Sequence, residues 1–218
     1  MNGGPGAGSA PGPVPALGWS FPLPTAATTQ TLAERLGRLL RAGDLLVLSG
    51  ELGAGKTTFT QGLGRGLGVR PGIISPTFVL VRIHPNLPDG PNPSGPDLVH
   101  VDAYRLGSAA EVDDIDLENT MDSAVTVVEW GSGRVEHLAE SRLEVELERA
   151  TGTAAAHTGG SSSGSSVAPS GRPDDWFGNG LPDADPFDDG DEPRVLRIRA
   201  LGPRWADVDL SVLAETVE

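Results

Sequence analysis

The chain has 218 residues, a formal net charge of −14, no cysteine, and one lysine among 16 basic residues. The missing cysteine excludes disulfides, thiolate metal sites and cysteine nucleophiles. The acidic balance excludes a surface that grips nucleic acid unaided, because phosphate neutralisation needs clustered Lys and Arg. No basic stretch leads into an apolar one and no apolar run reaches membrane-spanning length, so a cytoplasmic protein is expected, with no membrane contact.

Residues 1–17 open with Gly, Pro, Ala and Ser and read as a disordered tail. Trp19 to Leu23 follows as an edge strand ended by prolines. Thr28 to Thr31 leads into a helix: Thr31 and Glu34 have capping-box spacing, Leu32, Leu36, Leu39 and Leu40 line one face, and Gly43 is the expected stop. Thr28 is either a plain capping residue or a nucleotide contact.

Leu45 to Leu48 reads as a buried strand and Thr57 to Leu67 as a helix, with Gly50-Glu51-Leu52-Gly53-Ala54-Gly55-Lys56-Thr57 between them. This is the G-x-x-x-x-G-K-[ST] phosphate loop in the strand–loop–helix setting it requires. Its glycines let backbone N–H groups point at phosphate oxygens, and the helix offers its positive N-terminus. Gly50, Gly53, Ala54, Gly55, Lys56, Thr57 and Thr58 are therefore candidate nucleotide contacts, with Lys56 on the β and γ phosphates and the Thr57 hydroxyl on Mg²⁺. Lys56 is the only lysine in the chain, and a compact ammonium here is not replaced well by a planar guanidinium.

Ile73 to Val81 is expected to open a strand, with Ser75 and Thr77 on its entering loop. They suit either a segment that orders on the γ-phosphate or a turn shaped by Pro76. After a proline-rich insert at 85–96, Leu98 to Leu106 alternates as a half-buried strand carrying Asp102; His100 reads as a structural histidine. Residues 108–124 have a helical pattern and lead to Val125 to Val128, a buried strand ending in Glu129. Asp102 and Glu129 compete for the metal, or divide metal binding and water positioning between them.

Arg142 to Glu148 and Arg194 to Ala200 form two alternating strands of opposite charge, expected as a hairpin with Glu144, Glu146 and Glu148 facing Arg197 and Arg199. The expected organisation is a single α/β domain of the P-loop NTPase fold over 18–149 plus 194–206, with a mostly parallel sheet flanked by helices and a C-terminal β-hairpin. A low-complexity acidic insert, 150–193, expands the hairpin tip at little entropic cost, and 207–218 reads as a tail.

The threonine-led first helix, GELGAGKTTFTQGLGRGLGV (50–69), SPTFVLV (75–81), HVDAYRL (100–106) and VVEW (127–130) together resemble the TsaE family of bacterial tRNA threonylcarbamoyladenosine biosynthesis ATPases. The resemblance implies ATP on Lys56 and its loop, Mg²⁺ on Thr57 and Glu129, Asp102 near the γ-phosphate, Ser75 and Thr77 as a switch, and Trp130 beside the site. It implies slow ATP hydrolysis in support of threonylcarbamoyl transfer to adenosine 37 of ANN-decoding tRNAs. The implied partners are a TsaD-like threonylcarbamoyl-transferase and its inactive TsaB-like homologue, with tRNA reached only through that complex. His84 stands where such proteins usually carry tyrosine, Ala103 replaces the leucine of D-L-Y-R, and Gly131 replaces a proline. Three other classes share the phosphate loop. A small-molecule kinase would bring an arginine-bearing lid and an acceptor pocket, which the residues after Glu129 do not suggest. A GTPase needs an N/T-K-x-D element that a chain with Lys56 as its only lysine lacks. A static ATP-binding module would differ only in turnover.

Overall fold

The computed structural model describes residues 16–150 and 192–214. The expected N-terminal tail up to residue 15 and the insert from 151 to 191 lie outside the described residues. Seven strands form one sheet in the order β1-β7-β6-β2-β5-β4-β3: β1 Leu17–Leu23, β2 Leu45–Ser49, β3 Val81–His84, β4 Asp97–Asp102, β5 Ala124–Glu129, β6 Arg142–Arg149 and β7 Arg194–Leu201. The sheet is mixed. The β6–β2, β2–β5 and β5–β4 pairings are parallel, whereas β1–β7, β7–β6 and β4–β3 are antiparallel. The expected parallel character thus belongs to the centre, where strands buried on both faces read as continuous apolar runs.

Alternation divides β2 between two cores. Leu46 and Leu48 join the core under helices α1 (Ala26–Leu39) and α2 (Lys56–Leu67), with Leu36, Phe59, Leu63, Val127, Leu147 and Ile198. Leu45 and Val47 face the other way, against Val101, Val112, Leu117, Met121 and Val128. The helical pattern at 108–124 resolves into two short helices, α3 (Ala109–Asp113) and α4 (Glu118–Met121), broken at Asp116, which has φ 52°.

Helices α1 and α2 pack through glycines. A Cβ on Gly62 would sit 2.5 Å from the Gln30 carbonyl oxygen, and one on Gly66 would sit 2.1 Å from that of Glu34. These pairings run in the same sense along both helices, so the N-terminus of α1 lies at the phosphate-loop end of α2.

Three local expectations are corrected. The first helix begins five residues before Thr31: Thr25 is the N-cap, accepting from Thr28 N, and Thr28 Oγ1 in turn accepts from Thr25 N. Ala26 and Ala27 are good helix formers and extend the first turn, leaving Thr31 inside the helix, bonded back to the Ala27 carbonyl. The helix stops at Leu39, and Gly43, φ 91°, serves instead in the turn before β2. The strand expected from Ile73 starts only at Val81, because the Val79 and Leu80 amides both turn back onto the Pro76 carbonyl. Finally, the stretch from 207 includes a 3₁₀ turn, Leu210–Ala214, whose Leu210 and Leu213 are buried in the α1/α2 core. The hairpin register is as expected, with Glu144 opposite Arg199 and Glu146 opposite Arg197.

Candidate nucleotide site

The site lies at the carboxyl ends of β2, β4 and β5, where open α/β sheets bind ligands. β2 ends in Ser49, and the chain turns through Gly50, Gly53 and Gly55 with φ of 147°, 76° and 95°. Glycine is required here for conformation and also for space. A Cβ on Gly50 would lie 2.5 Å from the Leu147 carbonyl oxygen. Ala54 is buried, Gly55 is the N-cap of α2, and the helix starts at Lys56 with Thr57 and Thr58 in its first turn. That places unpaired helix N–H groups beside the loop, the arrangement that suits phosphate.

Lys56 is only 6% exposed. Its ammonium donates to the carbonyls of Gly50 and Glu51, each at 3.0 Å, and sits 4.3 Å from the centroid of the Trp130 ring. Burial holds its pKa below the usual lysine value, while the charges of Glu129 and Asp102 act in the opposite direction. Lysine, loop and both carboxylates are therefore one electrostatic unit.

Asp102 and Glu129 are register partners at the ends of neighbouring strands and are equally buried, each 3% exposed. Their surroundings differ. Asp102 accepts at Oδ2 from Thr77 Oγ1 at 2.7 Å and at Oδ1 from the Tyr104 amide at 2.9 Å. Ser75 Oγ is a further 2.7 Å from Thr77 Oγ1, so the loop before β3 is tied to the end of β4. Glu129 meets His100 Nε2 at Oε1, 2.8 Å away. The structural reading of His100 places a fully buried ring, and its partner is a candidate site residue.

Trp130 follows Glu129 with φ 59°, uncommon for a bulky residue, and its ring meets Tyr104 edge-on, centroids 5.6 Å apart. With Gly50, Glu51, Tyr104 and Arg134 it walls a cleft of about 540 Å³. Thr28 stands apart from this group: its hydroxyl bonds only with Thr25, at the α1 end that faces the same side as the loop.

Three arginines escaped the sequence reading. Arg134 donates to the carbonyls of Ala103 and Trp130, pinning the ends of β4 and β5 together. Arg149 and Arg194, register partners at the neck of the hairpin, lie against the loop: a Cβ on Gly53 would be 2.3 Å from Arg149 Nη2, and one on Gly55 would be 3.3 Å from Arg194 Nε. Arg149 also pairs with Glu192 at 3.3 Å. The hairpin pattern was readable, but nothing in it indicated that its neck reaches the phosphate loop.

The donor set fits a magnesium–nucleotide complex. Among the described residues no cluster of three or more His, Cys, Asp or Glu could cage a metal, and Mg²⁺ takes one or two protein ligands and fills its shell with phosphate and water. No helix among the described residues is long and apolar enough to cross a membrane.

Residues 23–156 match the family model described as threonylcarbamoyl adenosine biosynthesis protein TsaE. The chain is 47% identical over 184 residues, 84% of its own length and 97% of the relative's, to the tRNA threonylcarbamoyladenosine biosynthesis protein TsaE of Streptomyces coelicolor. It is 37% identical over 123 residues to the protein of that name in Bacillus subtilis, covering 56% of this chain and 72% of the other. The crystal structure of Bacillus subtilis YdiB superposes with a TM-score of 0.54 at 24% identity, over 91% of this chain and 92% of that one, and shows the same fold. A P-loop with this sheet and these relatives is consistent with an ATPase and suggests nucleotide binding, and the family model and the Streptomyces relative together establish that this chain belongs to the TsaE family.

Proposed function

We propose that the chain binds Mg-ATP and hydrolyses it to support formation of the threonylcarbamoyl group at N6 of adenosine 37 in ANN-decoding tRNAs. The observation that carries this reading is the meeting of a buried Lys56, at the start of the phosphate-loop helix, with Asp102 and Glu129 at adjoining strand ends. Its relatives' names supply the pathway.

In this reading the Gly50–Thr58 backbone holds the phosphates, and Lys56 leaves the Gly50 and Glu51 carbonyls to bind the β and γ oxygens. Thr57 and Glu129 hold Mg²⁺, which supplies charge neutralisation on the phosphates. Asp102, with both oxygens already occupied by Thr77 and Tyr104, is fixed in place to orient the attacking water. Ser75 and Thr77 couple the loop before β3 to that aspartate and form the switch. Trp130 and Tyr104 form the aromatic wall of the cleft beside the phosphate loop. Thr28 contacts the nucleotide from the neighbouring helix end.

The partners in this proposal are a TsaD-like transferase and its inactive TsaB-like homologue in the cytoplasm, with tRNA reached through them, a reading supported by the net charge of −14, which disfavours direct phosphate binding. The test is ATP hydrolysis by the purified chain, alone and with the transferase pair. Weak turnover that rises with the partners is expected. Phosphorylation of a small-molecule acceptor, with no response to the pair, would identify a kinase instead.

A further inference from the structure

The fold buries three imidazole nitrogens without a hydrogen-bond partner among the described residues: both of His84 and Nδ1 of His100. The two rings neighbour each other on β3 and β4, centroids 6.5 Å apart. Of the four ring nitrogens only His100 Nε2 is engaged, with Glu129 Oε1. This is also the one side-chain hydrogen bond Glu129 makes among the described residues.

We propose that His100 is a positioning residue for the reaction, fixing the Glu129 carboxylate by one oxygen so that the other alone is presented to the metal. The inference rests on the nucleotide-hydrolysis reading and deepens it. A carboxylate 3% exposed lacks the water that would otherwise satisfy it, and a buried acceptor left unpaired is strongly disfavoured. The donor must therefore come from the protein. An imidazole can donate from Nε2 to a carboxylate oxygen, and a bond of 2.8 Å at Oε1 fixes the carboxylate's rotation. Lys56, whose charge also acts on Glu129, would otherwise draw the carboxylate toward the ammonium and away from the metal. A ring at 0% exposure between two strands cannot swing away, which gives Glu129 a rigid support of the kind that ligating carboxylates receive from outer hydrogen bonds.

The test compares His100→Ala, His100→Gln and His100→Asn. Glutamine reaches about as far as Nε2 and keeps a donor, whereas asparagine keeps the donor but falls short. Two quantities are read: kcat and KM for ATP, and the factor by which Mg²⁺ strengthens binding of a fluorescent ATP analogue in a titration that needs no turnover. In His100→Ala and His100→Asn, kcat is expected to fall at least tenfold and the Mg²⁺ factor to shrink at least fivefold, with KM for Mg-ATP rising by about the factor that is lost, because slow turnover makes KM follow the dissociation constant. Metal-free affinity should be unchanged, and His100→Gln should recover most of both losses. A His100→Ala protein that keeps the wild-type Mg²⁺ factor overturns the inference, as does a His100→Gln protein that folds and recovers nothing. Wild-type protein that binds Mg-ATP without hydrolysing it sinks the ATPase reading instead, and the Mg²⁺ factor still decides the role of His100.

Discussion

One sheet carries two sets of carboxylates in opposite circumstances. Asp102 and Glu129, at the carboxyl ends of the parallel strands β4 and β5, are 3% exposed and lie beside a buried ammonium. Glu144, Glu146 and Glu148, along β6 where it pairs antiparallel with β7, face solvent and pair with Arg197 and Arg199. The first pair has lost its water and depends on a few protein donors, so its geometry is specified residue by residue. The second set keeps its water and needs only a cation within reach, so it tolerates change. Burial, more than charge, separates the two sets.

The largest effect expected from breaking this contrast is at the buried end. Lys56→Ala should lower ATP turnover on the order of a hundredfold, and Glu129→Ala at least tenfold, with the circular dichroism spectrum of both unchanged; wild-type rates in either would sink the assignments.

Acid should come next. His84 is buried, and desolvation first, then the positive charges of His100, Arg70 and Arg82, lowers its pKa from 6.5 to about 4. The unfolded chain therefore binds a proton near 6.5 that the folded chain takes up only near 4, so stability falls as pH drops through that window. A loss on the order of 2–3 kcal/mol is expected across it, and urea unfolding at stepped pH should show a His84→Phe variant losing less over the same range.

Thr25→Ala, which removes the N-cap of α1, should cost about 1 kcal/mol in the same assay. At the exposed end, a double-mutant cycle between Glu144 and Arg199, 2.8 Å apart with the arginine 62% exposed, should return roughly 0.5 kcal/mol or less, shrinking further in salt. A coupling several times larger would abolish the distinction drawn between the two sets.

How far the sequence carried this account follows the same physical division. The phosphate loop, the central strands and the hairpin ladder were legible because each is a local pattern: fixed glycine spacing, a short apolar run, strict alternation. Asp102 and Glu129 were legible as strand-end carboxylates. The start of α1 was not legible because a run of threonines offers several caps of similar chemistry, and Thr25, set between Pro24 and two alanines, is the earliest of them. The loop at Ser75 and Thr77 was legible, but the start of β3 was not, because the Val79 and Leu80 amides turn back onto the Pro76 carbonyl and delay the strand to Val81. What no local pattern contained were contacts between distant segments: His100 on Glu129, Arg134 across two strand ends, and Arg149 and Arg194 against Gly53 and Gly55.

The left-handed backbone at Trp130 has one more consequence. A glycine there would relieve conformational strain on the order of 1 kcal/mol, yet it would strip the ring from above the Lys56 ammonium, 4.3 Å away. Endurance and chemistry thus pull in opposite directions at a single codon. A library selected only for surviving heat should enrich glycine at this position, while one selected for growth on the modified tRNA should retain the indole, and sequencing both pools would show whether the strain is kept for the nucleotide's sake.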